Sequence, residues 1–339
     1  VKKLLASFLS VIFLVTVLFT GNVIASEEVS TPDVTNPVNE IVDNNVSIPV
    51  DESDTYDVSS EINETYSSET ILNSLGDFVN KSDEEGLLLE IPHVTIYNGE
   101  TVQTYTKDEY ENLSSRSSLS AVSSVAWNVV LNTTGGKFEY GYKIMSVTGT
   151  KPSSMKITVS PQIANYRSGP FSQFGSADFS LKSSDIFIGK TGTKLDQIYS
   201  TKYWKFHLSS EATWTGAPYK EVWSSYGDNY IILLNKKGVE YPKYTDPQSG
   251  IKLWEPPANL AVNTRSPGNY RGPFETWYNN NFGQPTRFSW SDVQIHHMQP
   301  LKYNGSDSVS NLIPLWKPGS TPKNGIMSHT VLNNWWLQY

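Results

Sequence analysis

Between residues 87 and 235, apolar and β-branched residues come in short alternating runs broken by Gly, Asn and Pro. "KFEYGYKIMSV" and "SMKITVSPQI" carry the pattern most clearly. Alternation sends successive side chains to opposite faces of a strand, and frequent turn signals return the chain antiparallel to itself. The pattern predicts an antiparallel all-β domain over 87–238, a sandwich or a barrel. His93 and His207 fall singly within these runs and read as structural. "GKTGTK" at 189–194 is similar to the end of a phosphate-binding loop. However, the position that should hold the first glycine is Ser184, so the stretch reads as a turn between strands.

Upstream of this region the composition changes. Residues 27–85 hold 16 Asp or Glu against a single lysine, Lys81, a net of −15. Outside that tract and the two leader lysines, 18 acidic and 23 basic residues leave a net of +5. A segment so charged and so poor in aromatic residues cannot bury enough apolar surface to offset its ordering entropy. Residues 26–86 are therefore expected to form an acidic disordered spacer or propeptide, with "ETILNSLGDFV" as one short helical stretch. The mildly basic remainder permits a nucleic-acid partner without requiring one.

Residues 1–25 read as a secretory signal peptide, with an uncleaved membrane anchor as the alternative. Lys2 and Lys3 precede an apolar run ending at Phe19, and Val23, Ile24 and Ala25 offer a cleavage site. The chain has no cysteine. That excludes disulfides, thiolate zinc sites and cysteine nucleophiles, and leaves stability to the core or to a metal. Leader and cysteine count together point to a secreted or cell-surface protein of a Gram-positive bacterium.

Residues 239–339 have a different texture. "KKGVEYPKYTDPQSG" is an irregular, Pro-rich lead-in. "GPFETWYNNNFG" spaces Phe274, Trp277, Tyr278 and Phe282 along one helical face ending at Gly283. In "VQIHH" an extended chain sends Ile295 and His297 to one face and His296 to the other. Pro300 stops this strand, "KYNGSDSVS" supplies a loop with a turn at Asn304-Gly305, and "NLIPL" resumes as a strand. "SHTVLNNWWLQY" predicts a helix capped by Ser328, with Trp335 and Trp336 in the core. His329 and Asn333, four residues apart, share a face of that helix. Three of the five histidines thus fall in the last 44 residues.

The succession "IHHMQPLKYNG", "NLIPL" and "HTVLNNWW" resembles the HNH nucleases, whose fold is the ββα-metal finger. The resemblance covers roughly Val293 to Tyr339. It implies a small α+β C-terminal domain at the end of a modular chain, with His297 as the general base that activates water. His296 and His329 match metal-ligand positions, and Asn311 matches the asparagine that braces the loop and the base. Asn333 stands where some members place a further ligand histidine. The stretch between Asn311 and His329 is longer than in compact members, and acidic or basic helpers upstream of the histidines are not evident.

The implied chemistry is consistent with the residue types. Phosphodiester hydrolysis needs a base within reach of water, and imidazole titrates in a suitable range. It also needs a cation to offset charge on the phosphorane and leaving oxygen. The implied cofactor is one divalent metal ion, Mg²⁺, Mn²⁺, Ni²⁺ or Zn²⁺. Arg265, Arg271, Arg287, Lys302, Lys317 and Lys323 are available to phosphates, and Arg287 and Lys302, nearest the histidines in sequence, are the expected phosphate contacts. The expected partner is nucleic acid, DNA ahead of RNA, and a toxin role would add a dedicated immunity protein. The competing reading is a secreted cell-surface or glycan-binding protein. In that case the β domain would hold a wall ligand and the histidine finger would be structural.

Overall fold

A computed structural model describes residues 65–83, 85–115, 120–217, 222–226 and 230–339. All of these belong to one compact unit spanning 60–339. The expected signal peptide and most of the acidic tract lie outside the described residues. Among the described residues, no helix is long and apolar enough to cross a membrane.

The elements run β1 (Tyr66–Ser67), α1 (Ser68–Ser74), β2 (Val79–Ser82), β3 (Gly86–Tyr97), β4 (Val102–Thr106) and α2 (Lys107–Ser114). β5 (Ser120–Ala121), β6 (Ser123–Thr134), β7 (Lys137–Thr148), β8 (Ser154–Ala164), β9 (Ser172–Gln173) and β10 (Ala177–Lys182) follow. Next come β11 (Thr191–Gln197), β12 (Lys202–Thr213), β13 (Val222–Tyr226) and β14 (Ile232–Leu234). The chain closes with α3 (Arg271–Phe282), β15 (Val293–His297), β16 (Leu312–Trp316) and α4 (His329–Leu337).

Two antiparallel sheets face each other as a sandwich. One runs β11-β7-β6-β3-β2, with β4 also on β3. The other runs β10-β8-β12-β13, with β14 on β12 and β9 on β8. The alternation in the sequence accounts for the core between them. Val125, Trp127, Val129 and Leu131 of β6 point inward, as do Met155, Ile157 and Val159 of β8 and Trp204, Phe206 and Leu208 of β12. The Phe138 and Trp204 rings, one from each sheet, lie 4.9 Å apart. His93 is fully buried, its ring stacked 4.5 Å from Trp127. Burial lowers its pKa to about 4, only partly opposed by its hydrogen bond to the Ile91 carbonyl. Of the 189–194 stretch only Gly189 lies in a turn, and Thr191–Lys194 belong to β11, so the expected turn is confined to its start.

The expected spacer boundary at residue 86 needs correction, because residues 65–83 already pack within the fold. Ile71 and Leu75, one helical turn apart, are buried against Val94, Ile96, Tyr110 and Ala126. Ser67 caps α1 through Thr70 N–H. β2 then pairs with β3 from Val79↔Glu90 to Ser82↔Leu87. Charge averaged over a long window hides two apolar side chains whose partners lie elsewhere in the chain.

The C-terminal region packs on the outer face of the second sheet. Ala164, Tyr203 and Leu233 share a core with Tyr241, Leu253, Ile313, Leu315, Leu332 and Trp335. The 238/239 boundary is therefore a change of architecture within a continuous core. In the lead-in, Asp246 is completely buried and accepts from Ser249 N–H and from Tyr278 Oη of α3. α3 ends at Gly283, whose φ of 79° is left-handed and suits glycine.

β15 and β16 form an antiparallel hairpin from Val293↔Trp316 to His297↔Leu312. Its two faces meet different partners. Val293, Ile295, Leu312 and Trp316 join Phe274 and Tyr278 of α3, whereas Ile313 and Leu315 join the cluster containing α4. Ser328 caps α4 by accepting from Thr330 N–H. Trp335 and Trp336 are buried, as their spacing predicts.

Candidate functional site

The strand alternation at the end of β15 separates the paired histidines. His297 follows Val293 and Ile295 onto the α3 face, where its ring stands 4.6 Å from Tyr270. His296 emerges on the α4 face, with its ring 4.6 Å from that of His329. His296 and His329 are thus brought together from strand and helix. Asn333, one turn beyond His329 on α4, is half-buried.

Each histidine of the pair is held by a different nitrogen. His296 Nδ1 lies 2.6 Å from the His297 carbonyl oxygen. A carbonyl can only accept, so Nδ1 carries the proton and Nε2 keeps the lone pair. His297 Nε2 lies 2.7 Å from Asp307 Oδ1. Desolvation alone would raise the Asp307 pKa. Hydrogen bonds from His297, Gly268 N–H and Arg265, with the attraction of that guanidinium, bring it down to about 2. An ionised carboxylate only accepts, so Nε2 donates and the His297 lone pair sits on Nδ1.

The loop between the strands is fastened at several points. Asn311 Oδ1 accepts from Gln299 N–H at 2.9 Å, and its Nδ2 donates to the Gln299 and Ser306 carbonyls at 3.0 and 2.8 Å. Met298 N–H donates to the Asn311 carbonyl at 2.7 Å. Asn304 has a φ of 62°, and a Cβ on Gly305 would stand 1.8 Å from the Gln299 carbonyl oxygen, so only glycine fits there. Arg265 donates from Nε to the Gly305 carbonyl at 2.6 Å and pairs with Asp307 Oδ2 at 2.9 Å. Gly268 N–H reaches the same Oδ2 at 2.9 Å.

Asp307 and Arg265 are the charged partners that the sequence left unidentified. Asp307 follows the histidines instead of preceding them, and its signal was an acid in the Gly-Ser-Asp-Ser loop four residues before Asn311. Arg265 was grouped with phosphate ligands, yet its charge is engaged by Asp307. Arg271 is likewise engaged, pairing with Glu275 at 2.7 Å and donating to the Trp290 carbonyl. Lys302 does not join the histidines. Its ammonium lies over the Tyr303 ring at 5.4 Å, and Tyr303 packs against Trp336 and Tyr339. Arg287 lines a cavity with Trp316 and Lys317, at the end of the hairpin away from His297.

The imidazoles of His296 and His329 are the nitrogen donors that a divalent cation would meet, with Asn333 as the adjacent amide oxygen. Burial, then the neighbouring His329, lowers the His296 pKa to about 4, and burial lowers that of His329. Both are therefore neutral near neutral pH, the form in which imidazole binds metals. The backbone carbonyl on His296 Nδ1 is the kind of second contact that orients a ligand ring. Among the described residues, no group of three His, Asp or Glu converges on one point. A larger cavity of about 820 Å³, lined by Glu240, Tyr241, Val331 and Trp335, contains none of these histidines.

Compared with known proteins, the chain matches no family model, no curated sequence and no solved structure.

Proposed function

We propose that the protein is a metal-dependent endonuclease that hydrolyses phosphodiester bonds of DNA. On this reading the β15–β16 hairpin followed by α4 is a ββα-metal finger. The observation that carries the proposal is the pairing of His296 and His329, 4.6 Å apart, at the end of the strand that holds His297. The HNH-like order of these residues in the sequence supports the same assignment.

His297 is the general base. Asp307 accepts its Nε2–H, which fixes the ring and leaves Nδ1 to take a proton from water. As the imidazole becomes positive, the nearby carboxylate stabilises it. Asn311 is a positioning residue, holding the Gln299–Ser306 loop that carries Asp307 alongside the strand. His296 and His329, with Asn333, would hold the divalent ion. When bound, that ion supplies positive charge to offset the developing charge on phosphate and leaving group. The fastened loop keeps these groups in register and spares the reaction that ordering cost.

Export fits this activity, since a free nuclease endangers the DNA of the cell that makes it. The leader-like start and the absence of cysteine motivate placing the protein outside the cell. A use against competitors would require an immunity partner in the producer.

The direct test incubates the full chain with supercoiled plasmid and Mg²⁺, Mn²⁺, Ni²⁺ or Zn²⁺, with EDTA and His297→Ala as controls. Nicking is expected with at least one cation, abolished by EDTA and slowed about 10²–10⁴-fold by His297→Ala. Absence of nicking with every cation, or equal rates for the variant, refutes the catalytic assignment.

A further inference from the structure

We propose that the cavity at the Val293–Trp316 end of the hairpin binds the backbone phosphates of DNA, as a contact separate from the histidines. This rests on the reading that nucleic acid is the substrate. The cavity measures about 610 Å³ and gathers Arg287, Lys317 and Lys323, which come from two separate segments of chain. Its carboxylate is Asp292, so three cations stand against one anion.

The cations are available for a ligand. Arg167, Arg265 and Arg271 each hold a carboxylate, at 2.8, 2.9 and 2.7 Å. Arg287 is the exception among the described arginines. Neither its guanidinium nor the ammonium groups of Lys317 and Lys323 has an ion pair or hydrogen bond among the described residues. Charges left unpaired and aimed at one concavity create a local positive potential that favours an anion. Ser320 and Thr321 add hydroxyl groups, and a guanidinium with hydroxyl donors suits phosphate oxygens.

The backbone around the cavity is tied together. Asn324 Nδ2 donates to the Arg287 carbonyl at 2.6 Å, and Lys317 N–H donates to the Asp292 carbonyl at 3.1 Å. Asn324 and Gly325 turn the loop through φ values of 55° and 80°. Buried Phe288 and Trp316 form part of the lining. The arrangement is therefore anchored at both segments and does not depend on free lysine tails alone.

The cavity lies by the Val293–Trp316 end of the hairpin, and His296 and His297 stand at its other end.

The test measures binding without cleavage, by fluorescence anisotropy of a labelled duplex DNA in EDTA over a range of salt. It compares the full chain with the variant Arg287→Ala/Lys317→Ala/Lys323→Ala. All three side chains are exposed, and matching thermal melts will verify that the variant is folded. Each phosphate contact contributes about 0.9 to the slope of log affinity against log salt, so the variant's slope should be shallower by about 2–3. Equal slopes, or no DNA binding by the parent chain, each overturns the proposal. If the parent binds with the steeper slope yet nicks nothing, the phosphate site stands and the catalytic reading falls. If nicking persists and the slopes are equal, the reverse holds.

Discussion

Asp307→Asn tests the proposed coupling of His297, as general base, to the carboxylate that holds its ring, at nearly constant shape. Oδ2 of Asp307 receives two donors, Arg265 Nη2 at 2.9 Å and Gly268 N–H at 2.9 Å, while Oδ1 faces His297 Nε2 at 2.7 Å. An asparagine amide placed here must keep its oxygen on the two donors, which turns its NH₂ toward the histidine. Nε2 must then accept, the ring proton moves to Nδ1, and the lone pair that serves as base is lost. The expected loss in nicking rate is about 10²–10⁴-fold, the usual contribution of a general base. Two of the three hydrogen bonds keep their direction, the third is reversed, and Asp307 is partly exposed, so the stability cost should be only about 1 kcal/mol. Tautomer-resolved ¹⁵N NMR of the histidine rings provides a readout independent of activity. His297 should carry its proton on Nε2 in the parent chain and on Nδ1 in the variant. An unchanged tautomer, or a folded variant nicking at the parental rate, would falsify the reasoning.

Two further predictions concern the fold. His93 is fully buried with a pKa lowered to about 4 by desolvation, so between the ordinary 6.5 and about 4 only the unfolded chain takes up the proton. Its stability contribution is therefore complete above 6.5 and lost as pH falls toward 4, with a ceiling of about 3 kcal/mol. His93→Phe keeps a ring against Trp127, and urea titrations near neutral pH and near the lower value should show a pH dependence smaller by up to that amount. His296 titrates in both proteins, so only the difference between them is diagnostic; equal pH dependence rejects the account. Ile71→Ala should destabilise by about 2–5 kcal/mol in chemical denaturation, because the side chain is fully buried against the first sheet. An effect below about 0.5 kcal/mol would mean that α1 is not part of the cooperative fold.

The sequence made the direction of side chains legible far better than their partners. The alternation in "SMKITVSPQI" puts Met155, Ile157 and Val159 on one face of β8, and that face is the one that meets the other sheet. The same period divides His296 from His297, and Ser328 marks the start of α4 by its own capping chemistry. What escaped reading depends on residues distant in sequence. Asp307 stands ten positions from His297, and Arg265 lies 40 positions from Gly305, a distance no local pattern spans. Ile71 looked like part of a charged tract because Val94 and Ala126, which bury it, contribute nothing to its own sequence window. The histidine pair shows where this limit matters chemically. Strand geometry sets the face each ring occupies, but the proton position follows from its acceptor: a backbone carbonyl on Nδ1 for His296, a carboxylate on Nε2 for His297. Two adjacent residues of one type thereby present different nitrogens on opposite faces. The acceptor of His296 is the carbonyl of the next residue and that of His297 a carboxylate ten positions on, so only the second needed the tertiary fold.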